Sequence, residues 1–199
     1  MPGGSPANNS IGRLTSRAVG HKVKQAFAFY PHHFRRKGPE MTYDNEAIVR
    51  RAYHAAEGDV LDVAGFVGAF AENGVFNDIV GQESYQGEQL GDVLLRMSEL
   101  LPDVHRELHR VTVVGDLVAV ELSIQGTFEG PLQTPAGTVQ PTGAKIDVPT
   151  ADFWYLRDGK IERFNCYVGY SVMFAQMGVM PDFASAVAET LAAQGQAAE

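Results

Sequence analysis

The spacing of apolar residues is mainly helical before residue 102 and mainly strand-like from residue 105 to about 170, and that change limits the folds open to the chain. Residues 46–56 place Ile48, Val49, Ala52, Tyr53 and Ala56 on one helical stripe, with Asp44 or Asn45 available as a cap. Gly58-Asp59 breaks the pattern, and residues 60–71 form a second helical stretch. A short strand over 75–80 carries Asn77-Asp78, a loop spans 81–87, and a third amphipathic helix over 88–101 is closed by Pro102. Strands over 105–114 and 117–128 then flank Gly115-Asp116, a hairpin signal. A Gly/Pro/Thr-rich connection over 130–143 leads to a strand over 145–156. Asp158-Gly159 turns the chain into a last strand over 161–170, and residues 172–177 form a short closing helix.

Three helices followed by an antiparallel meander predict an α+β fold, with the helices packed on a strongly curved sheet. Such a sheet closes partly on itself into a cone-shaped barrel and encloses a pocket between its concave face and the helices. A dry pocket of that kind suits a small apolar molecule.

Composition narrows the setting. A chain of 199 residues can bury a full core. Its one cysteine rules out an intramolecular disulfide framework and every multi-cysteine metal site, which points to a reducing compartment and a cytoplasmic location. No run of 18 apolar residues is present, so no membrane span is expected. Charge is lopsided: residues 1–40 hold seven basic side chains and one acid, whereas residues 41–199 hold nine and 23. The acidic body argues against a nucleic-acid partner. Residues 1–40 read as a basic, disordered extension, as translated upstream sequence before an effective start at Met41, or as a transit peptide. The domain is expected over 41–181, followed by an Ala-rich tail over 182–199.

Gly58-Asp59, Phe76-Asn77-Asp78, Pro102-Asp103, the strand pair around Gly115-Asp116, Gly126-Thr127, Pro141-Thr142-Gly143, Asp158-Gly159-Lys160-Ile161 and Gln176-Met177-Gly178 occur in one order. That order resembles the nuclear transport factor 2-like superfamily, and within it the SnoaL-like polyketide cyclases and ketosteroid isomerase relatives. The fold hosts cyclases, isomerases, dehydratases, epoxide hydrolases and binders, so the likeness implies architecture more than activity.

The resemblance to ketosteroid isomerases implies three catalytic positions. Asp78 falls where they carry a general-base Asp, and a strand-end turn cap is its structural alternative. Asp152 falls where they keep a protonated acid for the developing oxyanion. The residues themselves add that Asp152 sits between Ala151, Phe153 and Trp154, where desolvation raises a carboxyl pKa. Tyr53 lies near the position of a second oxyanion donor. Cys166 stands where the cyclases place an acid/base Asp, and Phe164 where several carry His, so the cyclase side chains are replaced. Cys166 alternates with Phe164 and Val168 and reads as a small cavity-wall residue.

Phe164, Asn165 and Tyr167 are further wall candidates, and Trp154 and Phe128 are expected to offer flat apolar contacts to a ring system. His105, Glu107 and His109 share one strand face. That pattern would suit a metal, but no third ligand set accompanies it; His105 is retained as a wall candidate and no metal is expected. The leading expectation is a cofactor-independent isomerase or cyclase acting on a hydrophobic ring ketone or polyketide-like molecule. The alternatives are a small-molecule-binding or dimerisation domain and, last, an epoxide hydrolase, which wants an Asp-Arg-Asp water-activating set; Arg157 and Arg163 lie near strands, but neither is obviously paired inside. A homodimer is what the resemblance implies.

Overall fold

Two aspartates open the first two helices in the same way. In the computed structural model, which describes residues 43–134, 136–179, 187–188 and 190–192, Asp44 accepts the backbone N–H of Ala47 at 3.0 Å and starts α1 (Asn45–Ala55). Asp62 accepts that of Gly65 at 2.8 Å and starts α2 (Val63–Ala69). Each carboxylate satisfies a donor that a helix N-terminus leaves free. The basic segment 1–40 and nearly all of the Ala-rich tail lie outside the described residues.

α2 is shorter than the apolar pattern predicts. Leu61 adopts φ 42° in the turn before it, and Phe70 is already extended, beginning β1 (Phe70–Asp78). The strand therefore runs through Glu72-Asn73-Gly74, which reads as a break in the sequence. Its pairing register shifts between Phe70 and Val75, so the polar triplet is absorbed as a bulge.

The chain continues through β2 (Glu83–Gln86), α3 (Gln89–Leu100), β3 (His105–Val114), β4 (Leu117–Thr127), the small hairpin β5 (Leu132–Thr134) and β6 (Gly137–Val139), β7 (Lys145–Arg157), β8 (Lys160–Val168) and α4 (Tyr170–Met177). The turn between β7 and β8 takes positive φ at both Asp158 and Gly159, 50° and 75°, a geometry that matches the twist of paired strands.

The main sheet has the order β2-β1-β8-β7-β4-β3. Its neighbours are antiparallel except β1 and β8, which run parallel, so the first strand joins the meander from outside it. β2 and β3 are free edges, and the curved sheet is not closed into a barrel. Alternation along β4 and β7 sends Val118, Val120, Leu122, Ile146, Val148 and Trp154 inward, where they meet Val49 and Ala52 of α1 and Leu90 and Leu94 of α3. No helix among the described residues is long and apolar enough to cross a membrane.

Candidate active site

Strand register builds the site as two parallel rows on the covered face of the sheet. One row is aromatic: Tyr85 on β2, Phe76 on β1, Phe164 on β8 and Trp154 on β7 are successive cross-strand partners. Two residues along each strand lies the second row, Glu83, Asp78, Cys166 and Asp152. The side-chain period of a strand keeps both rows on one face. With Tyr53 of α1, Met97 of α3, Leu132 of β5 and Tyr170 of α4 they line a cavity of about 430 Å³.

Asp152 is the deeper acid, 2% exposed. Tyr53 donates its hydroxyl proton to Oδ2 at 2.7 Å and accepts the indole N–H of Trp154 at 2.9 Å. Oδ1 has no hydrogen-bond partner among the described residues. Burial pushes the Asp152 pKa up to about 6, against smaller opposing effects of the Tyr53 hydroxyl, the Cys166 thiol and the Arg106 charge. The same burial, reinforced by the Asp152 charge, raises the Tyr53 phenol well above its ordinary value, so it stays a hydrogen-bond donor.

Asp78 closes β1 and is 8% exposed. Its Oδ1 caps the turn by accepting the N–H of Gly81 at 2.8 Å, and its Oδ2 accepts the Tyr170 hydroxyl. The turn-capping alternative is therefore present, on a residue that also faces the cavity. Between the acids, Cys166 is buried, and desolvation first and the Asp152 charge second hold its thiol protonated. A protonated buried thiol is a wall residue and a poor nucleophile.

Arg106 is a charged cavity residue that the sequence reading misses. It reaches the cavity from β3 with a side-chain exposure of 12%. Its Nη1 donates to the Ala56 carbonyl at 2.5 Å and lies 3.9 Å from Glu57 Oε1. Burial lowers its pKa, opposed chiefly by the Glu57 charge. The signal was available: if His105 and Glu107 face outward, strand alternation turns Arg106 and Leu108 inward. The contribution of Tyr170 had no such signal, because it depends on where α4 returns against β1.

Several expected wall residues lie elsewhere. Asn165 and Tyr167 occupy the opposite parity of β8 and face the outer side of the sheet. There Asn77 donates to Asn165 at 2.8 Å and Tyr167 packs edge-on against Phe153. Phe128 is fully buried in the core beyond β4 and does not line the cavity. His105 is exposed and engaged by Glu57 at 2.7 Å and Glu107 at 3.5 Å; the Glu57 hydrogen bond, as the largest cause, raises its pKa. His109 meets Ser123 at 3.0 Å across a register shift in β3.

Neither arginine weighed for a water-activating set lines the cavity. Arg157 pairs with Glu162 at 3.2 Å on the surface, and Arg163 lies over the Tyr155 ring. Trp154 does line the cavity, but one face of its ring is taken by Phe164 at 3.6 Å and an interplanar angle of 5°. Phe76 stacks on Phe164 at 4.5 Å, from the strand on the other side.

Comparison with known proteins places this arrangement. No curated protein matches the chain significantly. Among solved structures, a candidate SnoaL-like polyketide cyclase from Jannaschia sp. CCS1 matches with a TM-score of 0.62 at 20% identity, over 72% of this chain and 100% of the other. A protein of ketosteroid isomerase-like fold from Catenulispora acidiphila DSM 44928, solved with trimethylamine, gives 0.56 at 22% identity, over 67% and 93%. An LEH-like epoxide hydrolase from M. tuberculosis gives 0.51 at 16% identity, over 74% and 95%. Identities this low carry the fold alone. A family model for the SnoaL-like domain matches residues 49–164, more than half the chain and the whole stretch that holds Tyr53, Asp78, Arg106 and Asp152. The chain belongs to the SnoaL-like domain family.

Proposed function

We propose that this protein is a cofactor-independent acid/base enzyme, of isomerase or cyclase type, acting on a hydrophobic ring ketone or polyketide-like molecule held in the cavity. The observation that carries this reading is Asp152: a carboxyl in an apolar chamber, with a pKa of about 6, one oxygen held by Tyr53 and the other without a partner. A base works best with a pKa near the working pH, and a dry site strengthens every charge inside it.

Asp152 takes a proton from the carbon beside a carbonyl and returns it to a neighbouring atom. Arg106 stabilises the charge of the enolate formed between, and the Tyr53 hydroxyl holds Asp152 in place. This exchanges the roles expected from the ketosteroid isomerase resemblance. Both oxygens of Asp78 already accept hydrogen bonds, so Asp78 and Tyr170 orient the far end of the substrate. The two acids stand two strands apart, roughly 10 Å between backbones, which suits the two ends of one ring molecule.

Asp152→Asn is expected to abolish turnover across a panel of ring ketones and polyketide analogues, and wild-type turnover to rise with pH to a plateau above about 6. Turnover retained in Asp152→Asn but lost in Asp78→Asn would return the base role to Asp78. Retention in both would remove the acid/base reading and leave a binding domain. A second reading, epoxide hydrolysis, is favoured by one feature: the buried Arg106 near Asp152, which could hold a water for attack. Epoxide turnover without ketone turnover would select it. We further place the protein in the cytoplasm as a homodimer joined through the outer sheet face, where Phe153 and Tyr167 lie; sedimentation measures that state.

A further inference from the structure

We infer that Trp154 is a positioning residue: acting through Tyr53, it decides which oxygen of Asp152 exchanges a proton with a bound molecule. An indole N–H only donates, and a phenol has a single proton. With the Trp154 N–H directed at the Tyr53 oxygen at 2.9 Å, that proton points to Asp152 Oδ2 at 2.7 Å. The relay therefore has one polarity, from Trp154 through Tyr53 to Asp152. Oδ2 is committed, and Oδ1, buried beside the cavity and without a hydrogen-bond partner among the described residues, is the oxygen left over.

The stack on Phe164 would serve any aromatic ring, whereas an unbonded indole N–H at a depth of 1% exposure is unfavourable. The N–H is used, and each bond in such a chain polarises the next. The other groups bearing on Asp152 are the Cys166 thiol on β8 and the Arg106 guanidinium on β3, with Asp78 beyond Cys166. The Tyr53 hydroxyl bonds Asp152 and Trp154, whereas Cys166 and Arg106 act on it through charge, an influence that Trp154→Phe leaves in place.

The inference rests on the reading of Asp152 as the proton carrier, and its test needs no turnover. Trp154 is the single tryptophan of the chain, so one indole N–H resonance reports the relay in the full-length protein. The Asp152 titration midpoint, read by carboxyl-carbon NMR, is expected to rise by about 0.3–0.5 pH unit in Trp154→Phe and by about 1 unit in Tyr53→Phe. The double variant should rise no further than Tyr53→Phe. In the wild type the indole resonance should titrate with the Asp152 midpoint, and in Tyr53→Phe that response should vanish.

Additive shifts in the double variant would overturn the inference, as would an equal shift from Phe164→Leu, which disturbs the stack and spares the N–H. Should Trp154→Phe fail to fold, the indole resonance of the wild type and Tyr53→Phe decides alone; indifference to pH in the wild type refutes the relay. A relay confirmed beside an active Asp152→Asn enzyme would instead refute the proposed chemistry.

Discussion

Asp152 weighs on the fold because it is a carboxyl buried in an apolar setting. Its pKa of about 6 in the folded protein stands above its ordinary value of 3.8, so the folded state binds the extra proton between those limits. Stability therefore falls as pH rises from about 4 to about 6 and stays lower above that, by about 3 kcal/mol for a shift of this size. Asp152→Asn keeps an acceptor for Tyr53 and carries no charge. Thermal denaturation should show it more stable than the wild type at pH 8, by about 2–3 kcal/mol, and little different at pH 4. A variant that gains stability while losing turnover would mark the residue as functional. The inward acid was legible in the sequence because Asp152 interrupts an alternating apolar strand beside Trp154. Asn165 and Tyr167 were misassigned with Phe164 and Cys166, although a period of two separates those pairs onto opposite faces.

Elements long enough to show a period were legible, and short ones were not. α1, α3, β3, β4, β7 and β8 follow the expected spans closely, with both Gly-containing hairpin turns. β2, β5 and β6 have four residues or fewer, too few for alternation to register, and they hide in segments that read as loops. The parallel pairing of β1 with β8 had no local signal, since it is fixed by contacts between ends of the domain. One join between elements is tightly constrained. The N–H of Gly130 bonds the Leu100 carbonyl at the end of α3, and a Cβ there would stand 1.8 Å from the Glu99 carbonyl oxygen. Gly130→Ala should destabilise the protein by about 1–3 kcal/mol in urea denaturation. It should also weaken ligand binding, because α3 supplies Met97 and Leu100 to the cavity wall.

At the scale of the molecule, a cavity lined mainly by apolar and aromatic side chains suits a largely apolar guest. A ring ligand present at a hundred times its Kd should raise the unfolding free energy by about 2.7 kcal/mol, visible as a higher Tm. Because apolar contact dominates such binding, the gain should change little between low and high salt. Loss of the gain in salt would point to an ionic ligand instead.

The aromatic row has a further consequence for any such guest. Trp154, Phe164 and Phe76 lie against one another like coins in a roll, so Phe164 has no open face and its neighbours have given up one each. What a visitor meets is their rims, where hydrogens carry slight positive charge. A flat, electron-rich molecule would therefore lie across the roll with its π cloud on those rims.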